Sequence, residues 1–198
     1  PNQIEYLEKN SLALEQRITF LCNRLPNLLH ESVPVGRNDS ENVVVREWGK
    51  KSTNPAKSHV DLLAELGVGD LERAAKISGS RFYFLKNELV LLDLALQRFA
   101  LEFLSKKGFT LIEPPFLMRR QPYEGVTDVS DFEEVMYKVE GEDLYLIATS
   151  EHPLVAMHSG EVLGEELLPL KYAGVSACFR KEAGAHGKDS KGIFRVHQ

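Results

Sequence analysis

A stripe of eight positions near the start of the chain places the strongest constraint on its fold. Ile4, Leu7, Ser11, Leu14, Ile18, Leu21, Leu25 and Leu28 are spaced alternately by three and four residues. An α-helix displays such positions as one continuous seam, the a/d stripe of a coiled coil. One member, Ser11, is polar, and the residues between are mostly Glu, Gln, Asn, Lys and Arg. A seam of this kind needs a partner helix, and no other segment of the chain repeats the pattern. It is already running within a few residues of Pro1, so the chain reads as cut at its N-terminus. The alternative is that the helix packs on the domain that follows. Pro26 should end or kink the helix, because proline has no amide proton for the i→i−4 ladder.

The remaining composition is that of an ordinary soluble globular protein, 43% hydrophobic and 27% charged over 198 residues. That length supports one substantial core. No apolar run approaches the roughly 18 residues needed to span a bilayer. With no N-terminal signal pattern either, the expected location is the cytoplasm and no membrane partner is expected. Cys22 and Cys178 are the two cysteines, too few for a disulfide framework or a metal-binding set. A net charge of −5 argues against a whole-surface nucleic-acid binder, although a local basic patch stays possible because phosphate affinity depends on where charges sit.

Residues 30–58 read as a linker, broken by Pro, Gly, Asn, Asp and Ser. One or two short helices follow, divided by Gly67-Val68-Gly69, then the β-prone run Arg81–Leu85. A strong amphipathic helix is expected from Glu88 to Lys107, with Leu89, Leu92, Leu96, Phe99, Ala100 and Phe103 on one face and Gly108 at its C-terminal cap. "FTLIEPPFL" reads as a short strand stopped by Pro114-Pro115. "EVMYKVEGEDLYLIATSEHPL" carries a hairpin signal around residues 140–143, and 172–182 reads as a further strand returned by 192–198. Helices segregated from antiparallel strands predict an α+β fold.

The chemistry concentrates in two places. The first is the end of the chain, "CFRKEAGAHGKDSKGIFRVHQ". On the expected strand 172–182, Arg180 and Glu182 lie at i and i+2 and share one face. The loop between carries three glycines with His186, Lys188 and Lys191, and Arg195 sits on the return. The arginine fork matches phosphate oxygens bidentately, and each charge-assisted hydrogen bond contributes about 1.5–3 kcal/mol net. Two arginines and a carboxylate under a cationic flap therefore suit a polyphosphate on a sheet; the alternative is a solvated charged hairpin. A P-loop is excluded, because Glu182 stands where its first glycine belongs and Asp189 where Ser or Thr must follow Gly187-Lys188. The six histidines show no metal-ligand spacing. The second place is "LYLIATSEHPL", where Thr149 and Glu151 share a face at the end of an apolar strand. A hydroxyl beside a carboxylate can hold an ammonium group. The competing reading is a helix start, with Thr149 or Ser150 as cap and Pro153 in the first turn.

Taken in order, these stretches resemble a known family. "FRKE", a loop and then Arg195 are similar to the second signature motif of class II aminoacyl-tRNA synthetases. "KGFTLIEPPFL" resembles the first motif, with Pro115 at the matching position, and "TSE" resembles the serine-binding Thr-x-Glu of the seryl-tRNA synthetases. "LPNLLHESVPVG" resembles the exit from that family's helical arm, and "AAKISGSRFYFLKNEL" the lead into its catalytic domain.

The resemblance covers essentially the whole chain. It implies a class II antiparallel sheet flanked by helices and preceded by part of a coiled-coil arm, with 1–29 the arm, 30–58 the linker and 59–198 the first part of the catalytic domain. It implies that the serine carboxylate attacks the α-phosphate of Mg2+-ATP, giving seryl-adenylate and pyrophosphate, and that serine then passes to the terminal ribose of serine tRNA. Arg180 and Arg195 would be the catalytic arginines. Arg180 would hold the α-phosphate and the serine carboxylate, Glu182 the adenine amino group and Arg195 the terminal phosphates, with Lys181 and Val196 completing the ATP site. Thr149, Ser150 and Glu151 would hold L-serine. Pro115 and its helix would lie at a homodimer interface.

The phenylalanine expected four residues after Arg195, the third class II motif, the family's metal ligand, the residue contacting the serine hydroxyl and half of the arm all lie outside the 198 residues. The chain therefore reads as a piece of a complete synthetase, with no metal site of its own and weak or no activity alone. Two other readings stay open: a shorter homologue that loads an amino acid onto a carrier protein, against which the seam at 4–28 argues, and a non-catalytic module.

Overall fold

The computed structural model describes residues 2–50, 56–127, 135–182 and 192–198. The cationic loop 183–191, with His186, Lys188 and Lys191, lies outside the described residues. The chain divides into two compact units, Pro1–Ala56 and Lys57–Gln198.

The first unit is built on α1 (Asn2–Cys22), which has no buried residue. Its seam is exposed along the whole helix, as expected of a stripe awaiting a partner. The helix stops earlier than the seam. Asn23 and Arg24 close a turn onto Thr19 and Leu21, and Leu25 precedes Pro26, a position that disfavours helical backbone. Leu25 and Leu28 therefore lie beyond the helix. Residues 27–50 contain no strand and one 3₁₀ turn, Asp39–Glu41, capped by the Asn38 side chain.

The second unit opens with two capped helices. In α2 (His59–Glu65) the Ser58 hydroxyl accepts the Asp61 amide at 3.2 Å. In α3 (Leu71–Ser78) the Asp70 carboxylate accepts the Arg73 amide at 2.9 Å, which with the Arg73 ion pair holds the Asp70 carboxyl below its ordinary value. Between them β1 (Gly69–Asp70) pairs antiparallel with β2 (Phe84–Leu85). Then α4 (Glu88–Lys106) runs close to its expected span. It ends in a Schellman motif: the Phe109 amide donates to Leu104 at 3.1 Å and the Gly108 amide to Ser105 at 3.0 Å. Gly108 has φ +80°, a left-handed turn that glycine adopts without steric penalty.

The strands differ from expectation in how they pair. β3 (Thr110–Ile112) pairs parallel, with β6 (Tyr172–Gly174), while β4 (Leu117–Met118) pairs antiparallel with β5 (Tyr145–Leu146). The parallel pair is possible because the chain between β3 and β6 is long enough to cross over, carrying α5 (Arg120–Glu124), β5 and α6 (Glu151–Ala156). The expected hairpin is present: Lys138 bridges Tyr145, and the turn carries Gly141.

The apolar core lies under this antiparallel set. Met118, Tyr123, Met136, Tyr145 and Ile147 form one cluster, with Val126 and Ala156 packed against it. Ile147 and Tyr123 are 0% exposed, so the strand end that leads into Thr149 starts from fully packed residues.

Candidate active site

The expected strand 172–182 is regular only as far as Gly174. Beyond it the backbone stays extended but changes neighbours. The amides of Phe179 and Lys181 donate to one side, to Ile147 at 2.9 Å and Val135 at 2.7 Å, and the Arg180 amide donates to the other, to His197 at 3.0 Å. Each partner belongs to a different segment, so no ladder forms. At Glu182 the extended run ends, with φ +47°. The shared face expected of Arg180 and Glu182 therefore does not persist, because a left-handed residue breaks the alternation of a strand.

Arg180 is fixed from another direction. Its Nε donates to the Ala148 carbonyl at 3.1 Å, one residue before Thr149. The resemblance implies that Arg180 serves the serine carboxylate as well as the α-phosphate, and the fold ties its side chain to the residue that leads into the Thr149–Glu151 stretch. Glu182 is paired with Arg195, whose Nε donates to its carboxylate. The Glu182 side chain is 8% exposed and that of Arg195 51%, so the carboxylate is seated and the guanidinium reaches outward from it. Val196 follows, half-buried, between Arg195 and His197. The Lys181 ammonium lies 5.9 Å from the centre of the Tyr137 ring, on cation–π terms.

The Thr-Ser-Glu stretch opens α6. Thr149 Oγ1 accepts the Glu151 amide at 3.3 Å, and Ser150 occupies the cap position without a side-chain cap bond. Pro153 lies in the first turn and is buried. The helix-start reading of Thr149 thus holds geometrically, and it leaves the Glu151 carboxylate exposed at the helix N-terminus. Gly174 of β6 makes room for this turn: a Cβ there would meet Ser150 Cβ and Oγ at 2.8 Å and Leu154 Cδ1 at 3.0 Å. Pro115 lies apart, exposed between β3 and β4, while its neighbour Pro114 is buried.

Several residues of the site carried no signal in the sequence. The Tyr123 hydroxyl accepts the Ala148 amide at 3.1 Å and lies 2.9 Å from His152 Nδ1. With one lone pair taken by the amide, the hydroxyl has its own proton to give to Nδ1, the arrangement that goes with a neutral Nε2–H imidazole. Burial pushes the Tyr123 hydroxyl up from its ordinary value. Burial also pulls the His152 imidazole down, against the opposing pull of Glu151 and with that of Arg180. Ala148 therefore joins Tyr123, through its amide, to Arg180, through its carbonyl. On the other flank, His197 Nδ1 donates to the Arg180 carbonyl at 2.7 Å, with the Tyr137 hydroxyl at 2.9 Å. Burial raises the Tyr137 hydroxyl as well. No periodicity announces such contacts, because they join residues tens of positions apart. Among the described residues, no group of three or more His, Cys, Asp or Glu could hold a metal ion.

The chain is similar to known proteins over essentially its whole length. The family "tRNA synthetase class II core domain (G, H, P, S and T)" matches residues 135–198. The chain is 54% identical to the serine–tRNA ligase of Methanocella arvoryzae over 200 aligned positions, covering 100% of this chain and 47% of that protein. The structure is similar to seryl-tRNA synthetase from Pyrococcus horikoshii complexed with ATP, with TM-score 0.90, 51% identity and coverage of 98% of this chain and 48% of that one. It is also similar to the cytoplasmic serine–tRNA ligase of Naegleria fowleri in complex with AMP, with TM-score 0.87, 41% identity and coverage of 98% and 47%. The chain spans about half the length of the curated relatives it matches.

Proposed function

The chain belongs to the seryl-tRNA synthetase family, and on that premise we propose that it carries the serine site and most of the ATP site of an enzyme that activates L-serine and charges serine tRNA. The observation that carries this reading is the hydrogen bond from Arg180 Nε to the Ala148 carbonyl at 3.1 Å. It ties the guanidinium to the residue before the Thr149–Glu151 turn, while Glu182, paired with Arg195, lies two positions along the chain. With Nε committed to the protein, Nη1 and Nη2 are the donors offered to two anions, the serine carboxylate and the α-phosphate. Bringing two anions together is the main obstacle to adenylate formation. The nucleophile is a carboxylate, already ionised at neutral pH, so the site needs alignment and charge stabilisation rather than a general base.

Each residue then has a role. Thr149 and Glu151 hold the serine ammonium, the carboxylate at a helix start and Ser150 between them. The Glu182 carboxylate accepts from the adenine amino group, Arg195 extends toward the terminal phosphates, and Lys181 and Val196 flank the nucleotide. Mg2+ is proposed as the counter-ion that ATP brings; the described residues do not form a site for it, and no step is assigned to it. Discrimination against alanine rests on polar groups left unpaired when the hydroxyl is missing, and discrimination against threonine on excluding one methyl, worth about 1–3 kcal/mol.

Two surfaces suit the proposed partners. α1, with its exposed seam, belongs to the arm that grips tRNA. α4 has no buried residue yet presents Leu91, Leu92, Leu94, Leu96, Phe99 and Phe103 to solvent. Burying each such side chain contributes about 1.5–3 kcal/mol, which supports a homodimer contact along α4 with Pro115 nearby in sequence. No described helix is long and apolar enough to cross a membrane. The cytoplasm is the proposed location, by analogy with the Naegleria fowleri relative described as cytoplasmic.

The test is amino-acid-dependent ATP–pyrophosphate exchange by the full-length protein, offered each standard amino acid in turn. Exchange with serine alone is expected. Exchange with a different amino acid, or none at all, rejects the reading and leaves a carrier-loading homologue or a non-catalytic module in its place.

A further inference from the structure

Arg81 stands outside every motif that pointed to the site, yet it touches both flanks of it. Its backbone is left-handed, with φ +64°, a conformation in which a side chain other than glycine is strained. Strain of this kind persists where the surroundings hold it, and it concentrates at functional sites. Contacts on both sides of the residue hold it. The guanidinium Nη1 donates to the Glu182 carbonyl at 2.7 Å, across 101 positions of sequence. The Arg81 carbonyl accepts the His197 amide at 3.1 Å. The adjacent Phe82 ring stacks on the His197 imidazole, with centres 4.9 Å apart and planes 20° apart.

Both contacted residues govern the nucleotide end. Glu182 is itself left-handed, at φ +47°, and its carboxylate carries Arg195. His197 exchanges hydrogen bonds with the backbone of Arg180 on both sides, Arg180 N–H to the His197 carbonyl and His197 Nδ1–H to the Arg180 carbonyl. A cation on the Glu182 carbonyl fixes the peptide plane next to that strained residue and therefore the direction in which the carboxylate leaves the chain. The Thr149–Glu151 turn is braced through other residues, Ala148 and Tyr123.

We infer that Arg81 is a positioning residue for the nucleotide half of the site: its guanidinium holds Glu182, and through it Arg195, in the orientation that receives ATP, without touching ATP itself. The inference rests on the proposed reading of this site as an ATP site.

Arg81→Gly is the sharpest variant, because glycine accepts φ +64° without strain, so loss of the side chain is not confounded with a change of backbone conformation. Arg81→Lys keeps a cationic donor without the fork. Both are measured in the full-length protein by serine-dependent ATP–pyrophosphate exchange, alongside thermal unfolding. The expected result is a KM for ATP raised on the order of tenfold in Arg81→Gly, the scale of one lost charge-assisted hydrogen bond. KM for serine should stay within about twofold, and Arg81→Lys should recover part of the loss. A rise in both KM values together, or an unchanged KM for ATP in either variant, overturns the inference while leaving the function intact. If Arg81→Gly does not fold, Arg81→Lys alone decides by the same split. Absence of serine-dependent exchange in the unmutated protein overturns the proposed function, and this inference with it.

Discussion

The two ends of the site are built differently. The Thr149–Glu151 end grows directly out of the core: Ile147 and Ala148 are 0% and 3% exposed, and Tyr123 beneath them is 0% exposed. The nucleotide end, residues 179–182 and 192–198, contains no buried residue. It is held by hydrogen bonds between irregular segments, by one ion pair and by two left-handed residues, Arg81 and Glu182. Packed interiors resist displacement, whereas regions with few buried contacts and exposed backbone bonds open locally at low free energy. Recognition of a small amino acid must reject one extra methyl, which demands a rigid frame. Recognition of ATP spreads over many charged contacts and tolerates a more adjustable frame. On the proposed reading, selection of serine would rest on packing, and alignment of the nucleotide on hydrogen-bonded backbone.

On the proposed reading Arg180 serves both ends, so its removal should erase the distinction. Arg180→Ala is expected to lower serine-dependent exchange by about 10²–10³-fold, the scale of losing one preorganised donor at developing charge. Both KM values should rise. Steady-state exchange at varied serine and varied ATP checks this. A variant whose KM rises for ATP only would assign Arg180 to one end and break the shared-guanidinium reading.

Gly174→Ala should sharpen the comparison by striking the packed end alone. The new Cβ would lie 2.8 Å from Ser150 Cβ and Oγ and 3.0 Å from Leu154 Cδ1, and the first two belong to the turn itself. Overpacking of this kind costs about 1–3 kcal/mol. Relief by moving the α6 start displaces Thr149 and Glu151, so KM for serine should rise roughly tenfold. KM for ATP should change little. An equal rise in both would mean that the two ends are mechanically one.

The difference between the ends also explains what the sequence revealed. Elements with a period were legible. α4 was expected over Glu88–Lys107 and runs Glu88–Lys106, with Gly108 in the closing motif. The 137–146 hairpin follows from alternation and a glycine turn, whereas β4 begins just past the prolines expected to stop the strand, so its pairing with β5 was not legible. The parallel β3–β6 pair was not legible, because pairing direction depends on a crossover rather than on either strand. Arg180, Glu182 and Arg195 stood out as charges around a glycine-rich loop, but the seating of Arg180 on Ala148 did not. Tyr123, His152, Arg81 and His197 gave no signal, since each acts through one hydrogen bond to a peptide or ring distant in sequence.

Tyr123→Phe probes the brace under the packed end. It removes one oxygen, leaving the Ala148 amide and His152 Nδ1 without their partner. A buried donor left unsatisfied costs about 1–3 kcal/mol, so the unfolding midpoint should fall by several degrees. Ala148, freed at its amide, should let Arg180 wander, and exchange should drop about threefold to tenfold. The larger share should fall on serine rather than ATP. Unchanged stability would show that the hydroxyl is solvated and that the brace is not needed.

The smallest expected effect is a pH dependence at the same brace. Burial lowers the His152 imidazole from its ordinary value of 6.5, Arg180 adds to the lowering, and Glu151 opposes it. In the folded protein Nδ1 accepts the Tyr123 proton; a protonated ring offers Nδ1–H instead, and the hydroxyl then faces two donors, that ring and the Ala148 amide. The unfolded chain takes up this proton near pH 6.5 and the folded chain only at lower pH, so between the two values the unfolded state binds more protons and stability falls with falling pH. Above about pH 6.5 both states hold neutral imidazole and the contribution is fully present. Thermal unfolding followed from about pH 8 down to about pH 5 should therefore show a loss in the wild type that His152→Gln lacks, a difference of no more than about 3 °C. The comparison with His152→Gln isolates this ring from His59, His158 and His197 in the same unit. A difference of opposite sign, with His152→Gln losing stability faster on acidification, would mean that Glu151 dominates the ring and that the histidine is held protonated against the helix start rather than neutral under the tyrosine.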